Sequence, residues 1–181
     1  MKIKRQTEIE VNINDIQVGD ATTVKLKDGE VVDFLAADIN EDIIIFLAQD
    51  CVSRNREMNR KDDNEGGYDK SDMRKYLNEQ LINLFPDDLV SQMVPIYDKK
   101  DLLTILSREE AFGGIELLKN PRHRIAMESQ IEESRYSASW WLRDAVSASG
   151  FADVGLHGSA AYDSASNTWV GIRPAFAISR S

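Results

Sequence analysis

Apolar residues change their spacing twice along the chain, and this change constrains the fold more than any other feature. Within residues 1–50 they alternate with polar residues or form short runs, and Asp28-Gly29 is a typical hairpin turn. Over residues 71–85 they recur at helical spacing behind Ser71, a favourable N-cap. From Trp140 onward strand-like patterns return. Strands, then helices, then strands favour an α+β fold with an antiparallel sheet.

The first 50 residues predict a strand meander, and the middle of the chain predicts one main helix with one or two short ones. Strands are expected at residues 8–14, 22–27, 31–35, 43–47, 102–106 and 171–178. Helices are expected at residues 71–85, after Pro86, and after Ser107, where Ser107 and Glu110 have capping-box spacing. Both ends of the chain are predicted strands, and whether they pair with each other is left open by the pattern.

Size and composition exclude several classes of protein. A chain of 181 residues without a linker fits a single domain, residues 1–181, whose core needs no disulfide or metal. No apolar run approaches the ~18 residues of a membrane helix. The basic start lacks an apolar signal region, so we expect synthesis in the cytoplasm. The lone Cys51 forms no internal disulfide and is interpreted as a core residue, and a net charge of −9 argues against a nucleic-acid partner.

The charge is concentrated outside the C-terminal segment. Residues 139–181 contain three basic and three acidic side chains and no Lys or Glu, so the excess negative charge lies in residues 1–138. Surfaces that contact other molecules are depleted in Lys and Glu. The segment is therefore predicted to be either buried or a contact surface.

Catalytic and metal-binding motifs are weak in this sequence. Residues 62–65 are acidic and would suit calcium, but they lack the full EF-hand spacing, so a solvated loop is the favoured interpretation. His123 is flanked by two arginines, and His157 lies in the neutral segment without a nucleophile motif. No phosphate loop, dinucleotide fingerprint or nucleophile elbow is present. We expect no catalytic residue, no cofactor and no metal.

Two short motifs in the C-terminal segment are predicted to form its framework. In Trp140-Trp141-Leu142-Arg143, strand alternation places the tryptophans on opposite faces, one towards the core and the other towards a surface. Arg143, and Arg173 in Gly171-Ile172-Arg173-Pro174, are expected to bond loop carbonyls or a buried carboxylate.

The segment between these motifs, within a region of about residues 139–170, carries small polar residues and scattered aromatics. Ala152, Val154 and Leu156 alternate with Asp153, Gly155 and His157, so one set is expected to face inward and the other outward. The outward set shares no chemical theme, which is unusual for an active site. Such a composition is typical of an antigen-binding surface, and equally of plain surface hairpins. The residues alone leave both interpretations open.

The order of these motifs resembles the variable proteins of diversity-generating retroelements, which phages and prophages carry. The segments that carry the resemblance are Trp141-Leu142-Arg143, Phe151-Ala152-Asp153-Val154, Gly158-Ser159-Ala160, Ala165-Ser166 and Gly171-Ile172-Arg173-Pro174-Ala175-Phe176, with Ile172 where the family has Val. Residues 64–68, 73–78 and 84–86 are also similar to that family.

The resemblance implies a C-type-lectin-like fold with paired N- and C-terminal strands, and a display region whose residues are diversified through adenine mutagenesis. The positions that match, all reachable from an Asn codon, are Asp153, Gly155, Leu156, His157, Ser159, Ala161, Tyr162, Asp163 and Ser164. Trp169 is not reachable in this way. Framework roles are implied for Trp141, Arg143, Gly171 and Arg173.

The expected function is therefore non-enzymatic binding of a variable protein or cell-surface ligand, with association with a phage particle and the oligomeric state left open. The alternative is a fixed structural or assembly domain of a phage-like particle. An enzyme of the formylglycine-generating type, which shares the lectin-like fold, needs two cysteines where this chain has only Cys51. A sugar-binding calcium lectin is disfavoured because its Glu-Pro-Asn and Trp-Asn-Asp motifs are missing.

Overall fold

Ten strands form three antiparallel sheets in the computed structural model, which describes residues 11–52, 55–96, 101–128 and 136–181. In chain order the strands are β1 (Ala21–Lys25), β2 (Val31–Ile39), β3 (Ile43–Ala48), β4 (Met93–Val94), β5 (Ala126–Met127), β6 (Ser137–Ala138), β7 (Trp140–Ala145), β8 (Gly150–Val154), β9 (Ala160–Ser164) and β10 (Ala175–Ser179). The α-helices are α1 (Gly67–Lys70), α2 (Asp72–Glu79) and α3 (Asp87–Val90). Shorter helical turns lie at Ile13–Asp15, Leu81–Leu84, Glu110–Gly114, Glu116–Lys119 and Pro121–Arg124. The α+β class is confirmed.

The main sheet has the strand order β1-β2-β3-β10-β4, with every neighbouring pair antiparallel. The predicted strands at residues 22–27, 31–35 and 43–47 are confirmed, although β2 is longer than expected. Gly29 at the β1–β2 turn has a φ of 98°, a conformation that a side chain disfavours, which explains why the turn carries glycine. The apolar run of β3 is buried because both faces of the strand are covered: Ile44 and Phe46 pack in one apolar cluster, and Ile45 and Leu47 pack in another.

The closing strand β10 inserts between β3 and β4. Phe176 lies opposite Phe46 on β3, and Ile178 lies opposite Met93 on β4. Both edges of β10 are thus occupied, so the expected partnership with a strand at residues 8–14 is wrong for the part of that segment that the structure describes. Residues 8–10 lie outside the described residues, and the Asn12 side chain accepts a hydrogen bond from the Asn14 N–H to cap a helical turn.

The main helix is shorter than its apolar spacing predicts. Ser71 caps α2 as expected, since its Oγ accepts the Arg74 N–H at 3.1 Å, but the helix ends at Glu79 and a 3₁₀ turn continues. Asn78 on α2 accepts hydrogen bonds from the N–H groups of Leu102 and Leu103, at 3.1 Å each. The strand expected at residues 102–106 is therefore reduced to one bridge, between Thr104 and Ala175.

The Ser107–Glu110 capping box is confirmed. Ser107 Oγ accepts the Glu110 N–H, and a Glu110 carboxylate oxygen accepts the Ser107 N–H. Among the described residues, none of the helices combines the length and the apolar character needed to cross a membrane.

Two apolar clusters form the core, and β7 contributes to both. Trp141 belongs to the cluster that contains Phe34, Phe85 and Phe176, while Trp140 belongs to the cluster around Leu47. The two tryptophans thus lie on opposite faces, as predicted. The expectation that one of them reaches a surface is wrong, since both are 0% exposed. Trp140, Trp141 and Leu142 are all buried, so both faces of β7 are covered over these residues, whereas the strand is exposed at its end, Ala145.

Candidate binding surface

The predicted display region folds as a sheet of three antiparallel strands in the order β7-β8-β9. The central strand β8 is buried along its whole length, whereas β9 alternates between exposed and half-buried residues. Ala152 on β8, for example, is 0% exposed, and Tyr162 opposite it on β9 is 73% exposed. The surface of this region is therefore built by β9 and the turn that precedes it.

Arg143 ties β7 to the helical turn that follows the capping box. Its two terminal nitrogens donate to the two Glu110 carboxylate oxygens, each at 2.8 Å, and one of them also donates to the Ile105 carbonyl at 3.0 Å. This bidentate pair fixes the planar guanidinium in one orientation. The contacts are the carbonyl and carboxylate partners that the sequence predicted for Arg143.

Arg173 is buried just before β10 and is only 1% exposed. Its Nε donates to the Ala48 carbonyl at 2.6 Å, and an Nη donates to the His123 carbonyl at 2.7 Å. The guanidinium also lies 5.0 Å from the centre of the Trp140 ring. Burial lowers the pKa of Arg173 to about 10. Arg173 thus joins the end of β3 to the turn at Pro121–Arg124, on which the display region rests.

Gly171 allows two parts of the backbone to approach closely. A Cβ at this position would lie 2.6 Å from the Cys51 sulfur and 3.1 Å from the Ser139 carbonyl oxygen. Gly171 also exchanges main-chain hydrogen bonds with Ser139 and Trp141. Cys51 is a core residue as predicted, and burial raises the pKa of its thiol to about 12.

A tight turn at residues 155–158 joins β8 to β9 and presents side chains to solvent. Gly155 donates to the Ser159 carbonyl, and Gly158 to the Gly155 carbonyl, both at 2.8 Å. Gly158 has a φ of 75°, and a Cβ there would lie 3.2 Å from both the Arg124 Cβ and the Pro121 carbonyl oxygen. The turn is therefore pressed against Pro121–Arg124, while Leu156 and His157 project outward.

The nine predicted ligand positions divide into three groups by exposure. Five are exposed: Leu156, His157, Ser159, Tyr162 and Ser164. Three are half-buried: Gly155, Ala161 and Asp163. Asp153 is buried, with 2% exposure, and a surface ligand would not touch it. The expected inward and outward sets are thus wrong at Asp153, which lies inside, and at Leu156, which lies outside at 48% exposure, because β8 is covered on both faces and ends at Val154.

Asp153 is an uncommon buried carboxylate. Its Oδ1 has no hydrogen-bond partner within the described part of the chain. Burial, together with the smaller effect of the nearby Asp163 charge, raises the pKa of Asp153 from 3.8 to about 6. Asp163 itself accepts a hydrogen bond from the Asn167 side chain at 2.7 Å. The ionised Asp153 carboxylate therefore lowers the free energy of unfolding at neutral pH.

We predict that Asp153→Asn removes a pH dependence of stability. Between pH 4 and 6 the folded protein keeps a proton on Asp153 that the unfolded chain has released. The contribution of Asp153 to the free energy of unfolding therefore falls as the pH rises. The free energy of unfolding of the variant, relative to wild type, should rise by about 2–3 kcal/mol from pH 4 to pH 7. Urea denaturation at pH 4, 5, 6 and 7 measures this difference. A difference that stays constant with pH would contradict the prediction.

The acidic loop at residues 62–65 lies against the display region, a contact that the sequence did not reveal. Ser164 Oγ donates to an Asp62 carboxylate oxygen. Asn64 donates through its side chain to the Ser147 carbonyl and through its N–H to the Ala148 carbonyl at 3.2 Å. These partners are about 80 to 100 residues apart in sequence, so no local pattern could indicate them. Within the described ranges no three acidic, His or Cys side chains are placed to hold a metal ion.

Trp169 is exposed beside the display region, although it is not among the nine predicted ligand positions. Its side chain is 82% exposed, and its N–H donates to the Asn167 side chain, which in turn bonds Asp163 on β9. Exposed tryptophans are common anchors of binding surfaces. The resemblance implies that Trp169 is either a fixed framework residue or outside the diversified pattern, and this says nothing about contact with a ligand.

The fold and this surface define an α+β domain with an exposed edge strand on a buried framework. The chain belongs to the DUF6273 family, described as a domain of unknown function, whose family model matches residues 41–120 and 105–180. All of the framework and surface residues described above lie within these matched ranges. Comparison with curated proteins and with solved structures gave no significant match.

Proposed function

We propose that this protein is a non-enzymatic binding protein with a C-type-lectin-like fold, and that its display surface contacts a protein or cell-surface ligand. The display surface is defined as the exposed side chains of Leu156, His157, Ser159, Tyr162 and Ser164. The observation that carries the proposal is the contrast between this surface and the strand beneath it. Tyr162 is 73% exposed, whereas every residue of β8 is buried.

The framework supports the proposal because the turn before β9 is held by residues other than the display side chains, although the Ser164 side chain at the end of β9 bonds Asp62. The turn rests on Pro121–Arg124 through the close approach at Gly158, and Arg173 anchors that turn to β3. A preorganised surface loses little conformational entropy when a ligand binds. Tyr162 and Leu156 would supply apolar contact area, and His157 and the serines would supply adaptable hydrogen bonds.

Diversification by a retroelement is part of the proposal. It is supported by the motif order that resembles such variable proteins and by the codon relationship at the display positions. Several copies on a phage-like particle would raise a weak single-site affinity through avidity. The second candidate, a fixed assembly domain of such a particle, differs in one respect: its surface residues would not vary.

Sequencing of the 3′ end of the gene across its source population tests diversification. Substitutions should concentrate at adenines within codons 153–164 and spare the codons of Val154, Gly158 and Arg173. An even distribution of substitutions would favour the fixed assembly domain instead.

We also predict that the display surface tolerates randomisation. A library at its five positions should largely keep its fold, since exposed substitutions usually change stability by less than about 0.5 kcal/mol each. The matched library randomises five buried positions of the same sheet, namely Trp141, Leu142, Phe151, Ala152 and Val154, and should lose folding in most members. Resistance to protease on the surface of yeast measures both. Equal loss in the two libraries would show that the display positions belong to the framework.

A further inference from the structure

The outer edge of β9 offers main-chain hydrogen-bonding groups to a partner. β9 pairs with β8 on one side, and in the part of the chain that the structure describes no strand lies on its other side. Ala160 and Tyr162 are both exposed. An open strand edge is a template for the addition of another strand.

The register shows which residues present these groups outward. Gly155 donates to the Ser159 carbonyl, and Ala165 donates to the Ser149 carbonyl, so both of these pairs are hydrogen-bonded pairs of the β8–β9 ladder. The register between them is continuous, and hydrogen-bonded pairs recur every second residue. Ala161 and Asp163 therefore face β8 with their N–H and C=O groups. The corresponding groups of Ala160 and Tyr162 point away from β8, and across the described residues they have no partner.

The open edge is short because the chain blocks it at Ser164. The Ser164 N–H donates to the Asp163 side chain at 3.2 Å, and its carbonyl accepts the Asn167 N–H at 2.9 Å. Only the outward groups of Ala160 and Tyr162 remain available. Such an edge suits an extended segment of about three to five residues.

The charge near this edge argues for a basic segment of another protein rather than for a second copy of the chain. Asp62 contacts Ser164, and Asp163 lies on β9 itself, so the end of the edge at Ser164 is acidic. A second copy of the chain is disfavoured because each copy carries a net charge of −9, so two copies repel each other. A partner strand with Lys or Arg near this end would instead be attracted.

We propose that the display surface binds its ligand by strand addition, in which an extended segment with a basic residue near one end pairs with Ala160 and Tyr162 of β9. This inference rests on the proposed function and deepens it. The main-chain bonds are the same whatever side chains occupy the display positions. Affinity would thus have a constant part, supplied by the edge, and a variable part, supplied by the display surface.

The test uses a phage library of random 12-residue peptides panned on the full chain. We expect enriched peptides to share a proline-free run of β-branched residues with Lys or Arg near one end. Ala160→Pro should weaken an enriched synthetic peptide about tenfold, because it removes an outward N–H, and proline is tolerated at such edge positions. The control Ala160→Thr keeps the N–H and should change affinity by less than about twofold. Circular dichroism checks that both variants are folded.

A second arm leaves the protein unchanged and alters the peptide. Methylation of the peptide nitrogens that face β9 should weaken binding by about tenfold, whereas methylation of the alternate nitrogens should not. Three results would overturn the proposal: no enriched peptide, equal binding to Ala160→Pro, or a dimer of the free chain that Ala160→Pro dissociates. If natural variation is nevertheless concentrated at the display positions, the proposed function stands and only strand addition fails.

Discussion

Trp141→Ala should lower the free energy of unfolding by about 3–5 kcal/mol, whereas Trp169→Ala should change it by less than about 0.5 kcal/mol. Trp141 is 0% exposed among the aromatic residues of the first cluster, and its Nε1 donates to the Arg56 carbonyl at 2.9 Å. Its loss leaves a cavity and removes the donor of the half-buried Arg56 carbonyl. Trp169 is 82% exposed, so its replacement by alanine creates no cavity in the core.

Urea denaturation followed by far-ultraviolet circular dichroism compares the two tryptophan variants with wild type. The matched pair separates burial from the intrinsic effect of removing a large aromatic side chain. Equal destabilisation by the two substitutions would contradict the assignment of Trp141 to the core and of Trp169 to the surface.

Arg173→Met is expected to lower the free energy of unfolding by about 3–5 kcal/mol. Methionine fills part of the volume but cannot donate to the Ala48 and His123 carbonyls, and each buried acceptor left without a partner costs about 1–3 kcal/mol. The stacking of the guanidinium on Trp140 is lost as well. The free energy of unfolding from urea titration gives the size of the effect.

Arg180→Met is the matched control for Arg173→Met. Arg180 also donates to a main-chain carbonyl, that of Asn40 at 2.7 Å, but it lies near the surface, where water can replace the bond. Arg180→Met is therefore expected to lower the free energy of unfolding by less than about 1 kcal/mol. If the two arginine variants were equally destabilised, the burial of Arg173 would not be the source of its contribution.

Local patterns predicted the elements whose structure depends on neighbouring residues. Strands β1 to β3 follow from apolar alternation and the Asp28-Gly29 turn, and the caps at Ser71 and Ser107 follow from their own short-range spacing. Elements that depend on distant contacts were not predictable. Residues 102–106 form only one bridge in place of the expected strand because Asn78 bonds the N–H groups of Leu102 and Leu103, contacts across 24 and 25 residues.

The candidate surface was predicted in outline but not in detail. Residues 155–164 form an exposed turn and an edge strand, as small polar residues indicate, whereas Asp153 and Val154 belong to the buried strand β8. The burial of Asp153 could not be inferred, since alternation tells which residues share a face but not whether another layer covers that face. The same limit explains why the burial of both Trp140 and Trp141 was not predicted.

The position of Trp140 and Trp141 in two separate clusters bears on how the molecule unfolds. Adjacent side chains of one strand hold both halves of the core, so displacing β7 would disrupt the two clusters at once. Amide protons on either side of β7 should therefore exchange with solvent through one shared opening event. Partial unfolding confined to one of the two clusters is therefore disfavoured.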